Sequence, residues 1–111
     1  MIGASWLEPS EIHEHVARAR ELTTRPFGIN LLLFGNEELL DHVLAEEPAV
    51  LSTAWPRDDQ DLAAIFSRAH DRGAAVMHMV PTLADAERAM VAARRFVEDT
   101  ASRPEALRAV G

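Results

Sequence analysis

Apolar and polar residues follow two alternating patterns along this chain. Continuous apolar runs predict three buried strands, at residues 27–34, 49–53 and 74–80. Elsewhere apolar residues recur every three or four positions, which predicts a helix at residues 10–22 and three more beginning near residues 36, 59 and 83. The order is therefore helix, strand, helix, strand, helix, strand, helix. Apolar strands joined by helices are typical of a parallel α/β sheet, so we expect repeated βα units.

Residues that favour helix ends flank each helical segment. Pro9 suits a first helical turn, and Gly73 suits the left-handed position that follows a helix. Three further patterns predict helix starts: Asn36 as a cap, Asp58 or Asp59 as a cap, and Thr82 with Asp85 as a capping box.

A large indole follows the second predicted strand. Trp55 and Pro56 come directly after the apolar run, and an acidic pair precedes the next helix. Ligands of parallel α/β folds bind at the carboxyl ends of the strands, so Trp55 is a candidate wall of a ligand pocket. The alternative is that Trp55 plugs the end of the core.

Composition limits the class of protein. A chain of 111 residues, 48% of them hydrophobic, is expected to form one packed domain. Its net charge of -7 opposes binding to the phosphate backbone of nucleic acids. The longest apolar stretch is far shorter than the ~20 residues of a membrane helix, and residues 1–11 do not resemble a secretory signal. We therefore expect a cytoplasmic protein that binds neither nucleic acid nor membrane.

Several catalytic and metal-binding patterns are missing from the sequence. Cysteine and lysine are absent, which excludes thiolate zinc sites, cysteine nucleophiles and lysine Schiff bases. The five histidines form no H-E-x-x-H motif, and His13 and His15 point to different faces of their helix, so we expect no metal site. There is also no glycine-rich phosphate loop and no G-x-S-x-G elbow.

Three blocks of sequence resemble one enzyme family. They read RPFGINL at residues 25–31, AVLSTAW at residues 49–55 and VMHMVPTLADAERA at residues 76–89. In this order and spacing they resemble the nitronate monooxygenases, also called the 2-nitropropane dioxygenase-like family, over residues 2–92. The resemblance implies a TIM barrel that carries FMN and oxidises small alkyl nitronates with oxygen, without a metal.

The resemblance also implies which residues contact the flavin. Asn30 matches the asparagine that lies by the flavin in this family, and the alternative is that Asn30 bonds to neighbouring backbone at a strand end. Met79 is the second expected contact, at a position where many members have Gln or Lys. His78 and Met79 alternate across their strand, so only one of them can face the ligand. If His78 does not face the ligand, it is a hydrogen-bonded core histidine. The family's catalytic histidine has no counterpart here, so no catalytic residue is assigned.

The matching blocks end well before the last residue. We expect residues 1–92 to form a partial (βα) barrel and residues 93–111 a divergent helical tail, without the first barrel strand, the catalytic base or the phosphate-binding segments. The first hypothesis is an FMN-dependent oxidoreductase of the nitronate monooxygenase type, with little activity alone. The second is a non-catalytic α/β interaction module that forms homo-oligomers through open strand edges. A flavodoxin-like domain ranks last, because it needs about five strands and the pattern predicts three.

Overall fold

Strands and helices alternate through the described part of the chain. A computed structural model describes residues 1–35 and 37–101, with side chains through residue 95 except that of residue 36. The strands are β1 (Ile2–Gly3), β2 (Gly28–Leu32), β3 (Val50–Ala54) and β4 (Ala75–Met79). The helices are α1 (Pro9–Leu22), α2 (Leu39–Ala45), α3 (Leu62–Asp71) and α4 (Leu83–Ala101). Asn36, predicted as a helix cap, lies outside the described residues.

The four strands form one parallel sheet in the order β1-β2-β3-β4. When strands that are consecutive in sequence are also adjacent in the sheet, right-handed crossovers place all the connecting helices on the same face. Residues from all four helices do share one buried cluster with Ile29, Leu31 and Leu51 of the sheet. The predicted α/β fold of parallel βα repeats is confirmed, and the described sheet is open, as expected of an incomplete barrel.

The first strand corrects the sequence prediction. Ile2 pairs with Ile29 and Gly3 with Asn30, and the Ala4 N–H donates to the Asn30 carbonyl oxygen at 2.9 Å. The sheet therefore has four strands where the pattern predicts three. Two residues are too few to show a strand periodicity. This strand forms because it pairs with β2, and not because its own residues favour a strand.

The helix-facing side of the sheet forms the core. Side chains from α1, α2 and α3 meet alternate residues of β2 and β3 there, and the largest of them have no exposed surface. The described aliphatic side chains larger than alanine that have no exposed surface are Ile12, Val16, Ile29, Leu31, Leu33, Leu40, Val43 and Leu51. Burial of each such side chain stabilises the fold by about 1.5–3 kcal/mol.

Three of the predicted helix ends are confirmed by the local geometry. Gly73 has a φ of 80°, and the Ala74 N–H donates to the Ala69 carbonyl at 3.0 Å, which closes α3. The Thr82 hydroxyl accepts from the Asp85 N–H at 3.1 Å at the start of α4. Pro9, as predicted, occupies the first turn of α1.

The predicted cap of α3 is wrong. Asp61, and neither Asp58 nor Asp59, precedes the helix, and its carboxylate accepts from the Ala64 N–H at 3.1 Å. The earlier aspartates lie in a turn that the side chain of Gln60 closes by accepting from the Arg57 N–H at 2.7 Å. Because of this turn, α3 begins two or three residues later in the sequence than the predicted caps would place it.

The last helix crosses the boundary at which the sequence resemblance ends. α4 runs from Leu83 to Ala101, so its backbone continues past residue 92 without interruption. The rest of the predicted helical tail, residues 102–111, lies outside the described residues.

Candidate functional site

The sheet presents a second face, opposite the helices, which we call the open face. Strand register places Asn30, Ser52 and Met77 in one row across it, and Leu32, Ala54 and Met79 in the next row toward the carboxyl ends. Exposure is lowest on β3 and highest on β4: Asn30 and Leu32 are half-buried and Ser52 and Ala54 are buried, whereas Met77 is 48% and Met79 59% exposed. The open face is therefore accessible mainly beside β4.

Asn30 lies in the middle of the open face. Its side-chain Nδ2 donates to the Ser52 hydroxyl on β3 at 3.0 Å. Its partner is thus a neighbouring side chain rather than the backbone considered as the alternative. Within the described residues Asn30 makes no other side-chain hydrogen bond, so its amide oxygen can accept a bond from a ligand.

Met79 lies on the same face as Asn30, at the carboxyl end of β4. The two residues are separated by β3 and by one row, which corresponds to a lateral distance of about 10 Å. A thioether offers an apolar, polarisable surface and only a weak acceptor, so Met79 can contact a ring but cannot donate the hydrogen bond that Gln or Lys would supply.

His78 faces the helices and not the open face. Its Nδ1 shares a hydrogen bond of 2.7 Å with the Thr53 hydroxyl, and its ring meets Phe66 edge-on at 5.5 Å. Burial lowers the pKa of His78, the nearby Arg88 guanidinium lowers it further, and Asp85 partly opposes both effects. This geometry fits a neutral, hydrogen-bonded core histidine, the second of the two interpretations.

Three aromatic side chains follow the carboxyl ends of β1, β2 and β3, and we call them the aromatic row. Trp6 meets Phe34 at a centroid distance of 6.4 Å, and Phe34 meets Trp55 at 6.1 Å. Trp55 is 58% exposed, so the alternative that it plugs the core is wrong. Sequence reasoning missed Trp6 and Phe34. The sequence pattern gave no signal for either residue, because Phe34 lies inside the strand predicted at residues 27–34 and no strand was predicted before Trp6.

A network of hydrogen bonds holds the loops that carry the aromatic row. The Arg57 guanidinium donates to the Phe34 carbonyl at 2.7 Å, and the Gln60 amide donates to the Leu33 carbonyl at 2.8 Å. Arg88 of α4 donates to the carbonyls of Arg57 and Gln60, both at 2.8 Å. The network connects the loops after β2 and β3 to α4, and its bond from Gln60 to Leu33 is buried away from competing water.

A groove beside β4 is a competing ligand location. It measures about 550 Å³ and lies between α3, β4 and α4, with walls that include Phe66, Val76, His78, Ala89, Met90 and Ala93. Its described walls are largely apolar and contain no arginine, so they suit apolar side chains better than a phosphate-bearing ligand. Neither Asn30 nor Met79 lines this groove.

The flavin expected from the resemblance fits the open face in part. The free amide oxygen of Asn30, the exposed methionines and the aromatic row suit a flat, hydrogen-bonding ring. Arg57, which donates to the Phe34 carbonyl in the aromatic row, is already engaged, because it pairs with Asp59 at 3.0 Å and with Glu37 at 3.7 Å. The described residues thus fit the ring of FMN and offer no evident partner for its phosphate.

In the described ranges, no group of three or more His, Asp or Glu side chains is arranged to hold a metal ion. No helix among the described residues is long and apolar enough to cross a membrane.

Comparison of the chain with models of protein families, with curated proteins and with solved structures found no match.

Proposed function

We propose that this chain supplies the ring-binding part of an FMN-dependent oxidoreductase of the nitronate monooxygenase type. The observation that supports it most is Asn30, which presents a free amide oxygen on the open face at the position where the resemblance expects a flavin contact. The strands are parallel and their carboxyl ends meet at one edge, where ligands of such folds bind.

The chemistry divides between the cofactor and the chain. When bound, FMN supplies the electron transfer from an alkyl nitronate to oxygen. Asn30 orients the ring by accepting a hydrogen bond from a ring N–H, while Ser52 fixes the amide by accepting from its Nδ2. Met77 and Met79 exclude water from the adjoining surface.

Turnover by this chain alone is expected to be low. His78 is turned away from the open face and is therefore not assigned as the base. The proposal is that a nitronate-type substrate binds above the flavin ring and that further barrel strands complete the site.

Flavin binding by matched variants tests the proposal. We expect the purified chain to retain FMN absorbance after free ligand is removed, and Asn30→Leu to lose most of it, because leucine has similar volume but no amide. His78→Leu is the matched control on the opposite side of the sheet and should retain FMN. Urea titrations of both variants establish that each is folded. Equal retention by Asn30→Leu and wild type, or no retention by wild type, would contradict the proposal.

A second candidate function is association with another copy of the chain. Within the described residues β4 pairs only with β3, which leaves one strand edge free, and exposed apolar side chains surround this edge. They are Met77, Met79, Val80, Leu83 and Met90. Light scattering over a range of concentrations should then show dimers that Met77→Lys weakens. A monomer at every concentration would exclude this candidate.

A further inference from the structure

The aromatic row is unusual because its rings are exposed although they contact one another. Trp6 is 79%, Trp55 58% and Phe34 40% exposed, and none belongs to the buried core. Large aromatic side chains normally contribute to stability by burying most of their surface. The row therefore holds apolar surface in water at the edge where parallel sheets bind ligands.

The backbone at Trp55 is strained as well. Its φ is 52°, a conformation that bulky residues rarely adopt, and the following Pro56 restricts it further. Such strain costs about 1–3 kcal/mol, and here it is not offset by burial of the indole. The hydrogen bonds from Arg57 to Phe34 and from Gln60 to Leu33 brace the loop, so the fold holds Trp55 in its exposed position.

The tilt of the rings limits what can bind. Trp6 and Phe34 are inclined by 64°, and Phe34 and Trp55 by 45°. The row is therefore a bent ridge and not the flat platform that a sugar chain would need. A single flat ring can stack on an indole face at one end of this ridge. Because Arg57 is already paired with carboxylates, the row offers a stacking surface without a free positive charge.

We propose that Trp6, Phe34 and Trp55 form a stacking site for the flat fused ring of a small molecule. The identity of this ring rests on the proposed function, which makes it the isoalloxazine ring of the flavin. Stacking requires the ring and not the phosphate, so riboflavin and FMN should bind the row with similar affinity.

Tryptophan fluorescence reports on the row directly, because Trp6 and Trp55 are the two tryptophans of the chain. Titration with riboflavin should quench this fluorescence until it saturates, and N-acetyltryptophanamide corrects for light absorbed by the ligand. Loss of a stacking aromatic side chain weakens ring binding about tenfold, so Trp55→Ala should raise the dissociation constant by about that factor, followed through flavin fluorescence. Trp55→Phe keeps a ring and should retain most of the affinity.

The matched control is Leu22→Ala, which removes an apolar side chain of similar exposure, 69%, from the far end of α1. It should leave riboflavin binding unchanged. The inference is overturned if wild type shows no saturable quenching, or if Trp55→Ala binds riboflavin as well as Leu22→Ala does.

Combining these variants with Asn30→Leu separates the two proposals. If Trp55→Ala binds flavin normally while Asn30→Leu does not, the stacking site is wrong and the proposed function stands. If Asn30→Leu binds flavin normally while Trp55→Ala is weakened, the stacking site stands and the proposed contact with Asn30 is wrong.

Discussion

The two faces of the sheet differ sharply in packing. On the helix-facing side, Ile29, Leu31 and Leu51 have no exposed surface, whereas on the open face Met77 and Met79 remain about half exposed. Apolar burial is the main source of stability, so the helix-facing side stabilises the fold and the open face contributes less. The residues proposed to contact a ligand and the residues that stabilise the fold therefore lie on the same strands but alternate between faces.

We expect the largest difference in the free energy of unfolding between two substitutions, one on each face of the sheet. Leu51→Ala removes a fully buried side chain and should lower the free energy of unfolding by about 2–5 kcal/mol. Met77→Ala removes a half-exposed side chain and should cost less than about 1 kcal/mol. Urea unfolding measures both. Similar losses would mean that the open face is packed as tightly as the helix-facing side.

The next effect concerns the network that connects the loops at the carboxyl edge. Gln60→Ala removes three side-chain hydrogen bonds, to Arg57, Leu33 and Glu37, and leaves a buried carbonyl without its donor. We expect a loss of about 1–3 kcal/mol in unfolding free energy together with altered tryptophan fluorescence. Unchanged fluorescence would show that the network does not position the aromatic row.

A smaller effect distinguishes the cap of α3 from its neighbours. Asp61→Ala should cost about 1 kcal/mol, because the Ala64 N–H loses its acceptor. Asp58→Ala, at an exposed position, should change stability by less than about 0.5 kcal/mol. Thermal unfolding of the pair measures the difference, and the reverse ranking would restore the original prediction of the cap.

The smallest effect is a pH dependence that comes from the helix-facing side. The folded state lowers the pKa of His78 below its ordinary 6.5, so the unfolded chain binds more protons just below pH 6.5. The contribution of neutral His78 to stability is thus present above pH 6.5 and decreases as the pH falls toward the lowered pKa. His78→Gln should unfold with a weaker dependence on pH in this window. Parallel pH profiles for the two proteins would contradict this assignment.

The repeating pattern of the sequence predicted the architecture because it is local. Continuous apolar strands and helical periodicity specify βα units, and Gly73 and Thr82 mark helix ends by their own backbone preferences. The short β1 and the cap at Asp61 could not be predicted in this way. The first depends on pairing with β2, and the second on a turn closed by the side chain of Gln60.

The candidate site was only partly predictable for the same reason. Alternation predicts that His78 and Met79 point to opposite faces, but it does not say which of them faces the helices. Strand register decides this, by aligning His78 with Thr53. The aromatic row joins residues from three separate loops, and contacts between distant segments leave no periodic signal in the sequence.

The proposed flavin site lies on the open face at its carboxyl edge. An FMN titration of the isotope-labelled chain, followed in proton–nitrogen correlation spectra, tests it directly, because the Asn30 side-chain amide and both indole N–H groups give their own signals. We predict that these signals shift together and that the Gln60 side-chain amide, buried in the bracing network, shifts little. Shifts confined to the groove beside β4, at Phe66, Val76 and Ala93, would contradict the account.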